Sequence, residues 1–260
     1  MSTDLLTGTK ALITGGSSGL GFAMAQALAD AGATVLITAR SPATLTEAQA
    51  RLGHTAGRVH TLPMDVRDEH SIAQAVQWVQ DYWGGLDLLV NNAGIGMRTV
   101  NPEFMTAPQP FYKVSAAGFR DLLDTNLTGY FLVAKAFAPM MVAQGHGKIV
   151  NISMNHETMR RQGFIPYGPS RAGAESLSLI MAEDLRKHTI DVNMLLPGGA
   201  TATGMIPEEQ RAALPSHFSL LSPSVMARPI VFLASEASNG ITGQRIVATE
   251  FDAWLTQQQA

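Results

Sequence analysis

Residues Ala11-Leu12-Ile13-Thr14 run without a break into Gly15-Gly16-Ser17-Ser18-Gly19-Leu20-Gly21. The first four residues read as a short buried strand. Leu20, Ala23, Met24, Ala27 and Leu28 then recur at helical spacing and read as one helix face. A strand, a glycine-rich turn and a helix in that order suit an anionic pyrophosphate. Gly15 permits the tight turn, Gly19 lets backbone N–H groups come close to the ligand, and Gly21 lets helix and strand pack closely. The helix N-terminus adds a partial positive charge.

Outward from this unit the pattern repeats. Apolar runs at Thr34–Thr38, Val59–Leu62, Leu86–Val90, Lys148–Ile152, Asp191–Leu196 and Arg245–Ala248 read as further strands. Between them, Ile72, Ala75, Val76 and Val79 mark one helix, and Ser176, Leu177, Ile180 and Met181 another. Such alternation with short connections predicts an α/β, doubly wound parallel sheet of about seven strands, covered by helices on both faces. The chain has 260 residues, of which 46% are hydrophobic and 15% charged, enough for a sizeable core. No linker or repeat divides it, so one domain over residues 1–260 is expected. Gly94–Ser115 breaks the rhythm, and a loop of that length in a compact domain is usually functional. The substrate loops are placed near 95–115, 155–165 and 200–220.

Composition excludes several functions. A net charge of −3 offers nothing to nucleic acid or an anionic membrane surface. The chain has no cysteine, which removes disulfides, thiolate metal sites and cysteine nucleophiles. His156-Glu157 begins an H-E-x-x-H motif that fails at Arg160, and the seven histidines lack ligand spacing, so no metal is expected. Met1-Ser2-Thr3-Asp4 is acidic where a signal peptide would be basic. Tyr130–Ala143, with Lys135 and Pro139 inside it, is too short to span a bilayer. A cytoplasmic protein is expected.

The glycine spacing is G-x-x-x-G-x-G, with Thr14 ahead of it. Asp65-Val66 follows the third strand, and Asn91-Asn92-Ala93-Gly94 follows the fourth. Asn126 lies in Asp124-Thr125-Asn126-Leu127, Tyr167 precedes Arg171 by four residues, and Pro197-Gly198 follows the sixth strand with Thr203 nearby. In this order, over about residues 8–248, the chain resembles the short-chain dehydrogenase/reductase family. The resemblance implies a single-domain Rossmann fold and oxidoreduction with a nicotinamide nucleotide. Its phosphates would lie at Gly15, Ser17, Ser18, Gly19 and Leu20, and its adenine at Asp65 and Val66. Asn92, Ala93, Gly94, Pro197, Gly198 and Thr203 would complete the cofactor site with Tyr167 and Arg171. An acidic residue ending the second strand holds the adenosine ribose in this fold. Here Ala39 stands there, followed by Arg40, whose guanidinium suits a 2′-phosphate. NADP is therefore expected, with NAD the alternative.

The resemblance also assigns catalysis. Tyr167 would transfer the proton and Asn126 would anchor a water relay. A phenol needs a nearby cation to act as a base at neutral pH, and the family supplies lysine. Here Arg171 takes that place: it keeps the charge but cannot release a proton. The family's serine, thirteen residues before the tyrosine, is Met154, which has no strong donor. Losing such a donor costs about 10²-fold in rate. Ser153, Asn155, His156 and Thr158 are the candidate replacements, although strand alternation turns Ser153 to the other face. Arg98, Lys113, Arg160 and Arg161 suggest a polar, anionic substrate such as a sugar acid or polyol. The expected reaction interconverts a secondary alcohol and a ketone. The rival reading, motivated by Met154 and Arg171, is a catalytically impaired NADP-binding regulatory module. The family's use of the helix after Tyr167 as a subunit contact implies a homotetramer or homodimer.

Overall fold

In a computed structural model, residues 5–55, 57–206 and 219–258 are described. Strands β1 (Lys10–Thr14), β2 (Thr34–Ala39), β3 (Val59–Pro63), β4 (Leu88–Asn91), β5 (Gly147–Ile152), β6 (Ile190–Leu196) and β7 (Arg245–Val247) form one sheet. Its order is β3-β2-β1-β4-β5-β6-β7, and every pairing is parallel. The strands fall within two residues of the predicted runs. The fourth starts at Leu88; just before it the Asp87 N–H donates to the Lys10 carbonyl at 3.0 Å, its carbonyl accepts from the Lys148 N–H at 2.9 Å, and its carboxylate accepts from the Lys10 N–H at 2.8 Å.

Strand alternation sends side chains into two cores. Ala11, Ile13, Val35, Ile37, Leu88, Val90, Val150 and Ile152 enter one, and Leu12, Leu36, Leu89 and Ile149 enter the other. The first is covered by α1 (Gly19–Asp30), α2 (Pro42–Leu52) and the short helices Ala227–Ala234 and Phe251–Gln258. The second is covered by α3 (Glu69–Trp83), α5 (Gly129–Gln144) and α7 (Tyr167–Arg186). Helix α4 (Ala116–Leu123) runs through a π-turn, Asp124–Thr128, into α5, and a single turn, α6 (His156–Met159), precedes α7.

Two predicted helix faces need correction. In α1 the buried stripe is Gly21, Met24, Ala25, Leu28 and Ala29. In α7 it is Ala174, Ser178 and Ala182, while Leu179 and Ile180 are exposed. In α7 the helix lies close on the sheet with small side chains inward, so Leu179 and Ile180 turn away from the strands.

The chain order reverses between β1 and β4, and a crevice opens beyond the carboxyl ends of those strands. Thr14 ties the two together there, its hydroxyl accepting from the Asn92 and Ala93 N–H groups, each at 3.0 Å.

Candidate active site

One cleft of about 790 Å³ occupies this crevice. Gly15, Ser17, Ser18, Gly19 and Leu20 border it on one side. Gly15 and Gly19 both hold positive φ, at 65° and 56°, which side chains rarely adopt. Ser18 caps α1 by position but makes no side-chain cap bond, so the first N–H groups of that helix face the cleft without an internal partner. Asn92 Nδ2 donates to the Thr14 and Gly15 carbonyls at 2.9 and 3.0 Å and locks the turn against the strand β4 exit. This cradle fits the pyrophosphate of a dinucleotide.

The cleft's far wall on that side is Ala39, Arg40, Met64, Asp65, Val66 and Arg67. The Asp65 carboxylate is occupied by Arg67, at 3.1 Å from its Nε and 2.8 Å from its second terminal nitrogen, which holds the carboxyl below its usual range. Arg40 and Ala39 also border a smaller recess with Ser17, Ser41 and Thr44. Asn92, Ala93, Gly94, Pro197 and Thr203 border the main cleft. Gly198 does not; its carbonyl accepts from Asn155 Nδ2 at 3.0 Å. The predicted loop at 200–220 lies outside the described residues over 207–218.

At the other end stands Tyr167, the first residue of α7, with Arg171 one turn on, as the spacing predicts. Arg171 is only 3% exposed. Its guanidinium carbon lies 5.4 Å from the Tyr167 ring and 5.5 Å from that of Tyr130. One terminal nitrogen donates to the Tyr130 hydroxyl at 2.7 Å and to the Ile152 carbonyl at 2.8 Å. Burial opposes the guanidinium charge, but the two phenols outweigh it, and the net displacement is upward. Burial pushes the Tyr130 phenol up, with Arg171 drawing it partly back, so Tyr130 stays neutral. Asn126, fully buried in the π-turn, uses its amide twice on the Ile95 peptide, accepting at 2.8 Å and donating at 2.9 Å. It thereby fixes the loop that carries Gly94.

The place of the missing serine is apolar. Met154 and Tyr167 pack against Met97, Phe104, Leu122 and Phe164. The Tyr167 hydroxyl meets the Met205 sulfur at 3.7 Å. Two of the proposed replacements for the serine are engaged elsewhere. Ser153 borders the cleft, but its hydroxyl donates to Glu175 Oε1 at 2.5 Å. His156 pairs with Glu175 Oε2 at 3.1 Å and is not among the cleft residues. Asn155 borders the cleft while bonded to Gly198, and Thr158 also borders it. Of the four suggested substrate cations, Arg98 and Arg161 border the cleft, whereas Lys113 and Arg160 do not.

A profile of the short chain dehydrogenase family matches residues 9–213. The chain belongs to the short-chain dehydrogenase family. Among relatives of this short-chain dehydrogenase, gluconate 5-dehydrogenase of Gluconobacter oxydans is 34% identical over 193 residues, covering 74% of this chain and 72% of that one. The 3-oxoacyl-(acyl-carrier-protein) reductase of Aquifex aeolicus is 32% identical over 247 residues, covering 93% and 96%. A solved short-chain type dehydrogenase/reductase from Mycobacterium marinum superposes with a TM-score of 0.82 at 29% identity, covering 96% and 97%. Oxidoreduction with a nicotinamide nucleotide follows from this membership. Among the described residues, no three metal-binding side chains converge and no helix is long and apolar enough to cross a membrane.

Tyr130, Glu175 and Arg245 were invisible to motif reading. Arg245 Nε donates to Glu175 at 2.8 Å and its terminal nitrogen to the Met154 carbonyl at 2.8 Å, pinning the strand end where the serine would stand. The partners are 70 and 91 residues apart, and no local pattern joins them.

Proposed function

We propose that this short-chain dehydrogenase interconverts a secondary alcohol and a ketone with NADP(H), using Tyr167 as acid and base. The observation that carries the reading is the Tyr167 phenol beside a buried guanidinium, at the opposite end of one cleft from the glycine turn. A bound nicotinamide supplies the hydride or takes it. In reduction, Tyr167 gives its hydroxyl proton to the substrate oxygen and is left as a phenolate beside the Arg171 cation. In oxidation it takes that proton back. Arg171 gives up no proton, so proton traffic to Tyr167 does not pass through residue 171. In this reading Thr158, which borders the cleft, takes the missing serine's role at the substrate oxygen. Asn126 supports the site by holding the Ile95 peptide.

Arg40 and the recess of Ser17, Ser41 and Thr44 support a 2′-phosphate, because Arg binds phosphate oxygens in bidentate fashion and no carboxylate stands at Ala39 to repel it. Arg40→Ala is expected to weaken NADPH binding by about tenfold and NADH binding by less than about twofold, read by titration of nucleotide fluorescence.

The substrate wall holds thioethers and phenyl rings, with Arg98 and Arg161 beside them. A carbonyl acid with an apolar body therefore fits better than a polyol, whose hydroxyls would lose water without gaining partners. The test is NADPH oxidation over alkyl and aryl oxo acids, sugar acids, polyols and neutral ketones. We expect kcat/KM to favour the oxo acids over matched neutral ketones by about tenfold or more. Preference for neutral ketones or polyols would overturn the substrate assignment. Tight nucleotide binding with no turnover across the panel would favour a binding module. The exposed Phe131 of α5 and Leu179 and Ile180 of α7 support the expected homodimer or homotetramer.

A further inference from the structure

We infer that Tyr130 is a positioning residue, whose hydroxyl fixes the orientation of the Arg171 guanidinium at the cofactor cleft. This rests on the reading of Arg171 as the cation beside Tyr167. A guanidinium is planar, so holding one terminal nitrogen at two points sets where the rest of the plane faces. The Tyr130 hydroxyl and the Ile152 carbonyl hold that nitrogen, and the Tyr130 hydroxyl itself donates to the same carbonyl at 3.3 Å. The three groups form a closed triangle in which Tyr130 is 1% and Arg171 3% exposed.

The opposite edge is thereby turned to the cleft. Its second terminal nitrogen abuts Gly94, where an added Cβ would sit 2.8 Å away, and Gly94 borders the cleft. One terminal nitrogen is thus fully bonded, while the buried Nε is left without a partner among the described residues. A buried donor left unpartnered is costly, so this pose depends on the bonds made at the other nitrogen. A lysine ammonium is a compact point charge on a flexible stem and has no plane to orient. The Tyr130 hydroxyl should therefore matter only when residue 171 is arginine.

Four proteins test this: the wild type, Tyr130→Phe, Arg171→Lys and the double variant. NADPH dissociation constant, kcat, KM and melting midpoint are measured for each, with kinetics run well below every midpoint. With Arg171 present, Tyr130→Phe should lower kcat about tenfold and weaken NADPH about threefold, while KM for the carbonyl moves less than about twofold. In the Arg171→Lys background, removing the same hydroxyl should change kcat and NADPH affinity less than about twofold. Equal losses in both backgrounds, or none with Arg171, would overturn the inference. A purely structural hydroxyl would lower the melting midpoint and leave kcat of the folded enzyme unchanged, which also overturns it. If the wild type turns over no carbonyl, the proposed reaction fails, and the NADPH arm still decides the role of Tyr130. If Tyr130→Phe folds only in combination with Arg171→Lys, the inference stands; if it folds in neither background, the inference falls.

Discussion

Tyr167→Phe is expected to lower kcat by about three orders of magnitude while NADPH affinity stays within about twofold. The substitution removes one oxygen and keeps the ring, so the packing of Tyr167 against Met97, Phe104 and Phe164 persists. Met154 offers no proton at the place of the usual serine, and Arg171 cannot release one. Thr158 is an alcohol and a weak acid that can hydrogen-bond the substrate oxygen but cannot protonate it at neutral pH. The whole general-acid contribution therefore falls on one group, which sets the size of the effect. Stopped-flow binding together with steady-state turnover checks both halves. Turnover within tenfold of the wild type would show that another group moves the proton.

Gly21→Ala is expected to weaken NADPH binding by about a hundredfold or more, and it tests the other end of the cleft. A Cβ at Gly21 would collide with the Gly15 carbonyl and with Asn92 Nδ2. That amide bonds the same carbonyl at 3.0 Å, and the turn is built on the Gly15 φ of 65°. A methyl group therefore pushes on the turn and on the strand β4 exit together. Calorimetric titration with NADPH measures the loss, and a melting curve shows whether the domain remains folded. Affinity within about threefold of the wild type would mean that the turn does not hold the phosphates.

The strands and the glycine turn were legible because their determinants are local. Ala11-Leu12-Ile13 is apolar on both strand faces, so strand alternation alone sends its side chains to two cores. Ser153 borders the cleft, but its hydroxyl is bonded to Glu175, a partner 22 residues on that no local pattern names. The inner face of α7 was not legible, because close packing on the sheet selects for smallness, and periodicity weighs hydrophobicity. The loop cations divided into two that border the cleft and two that do not, since nothing in a loop's spacing fixes which way it folds. The Tyr130–Arg171 bond joins residues 41 apart, and it exists only once α5 and α7 lie side by side on the second core.

That bond also constrains the route by which such a site can arise. Exchanging lysine for arginine before a tyrosine stands on the neighbouring helix would bury a broad cation with one acceptor fewer. Placing the tyrosine first adds only a polar tip that the Ile152 carbonyl can already accept. The guanidinium thus leans on the phenol more than the phenol on the guanidinium, so lysine at residue 171 is compatible with Tyr130, whereas losing the Tyr130 hydroxyl is costly while arginine stays at 171.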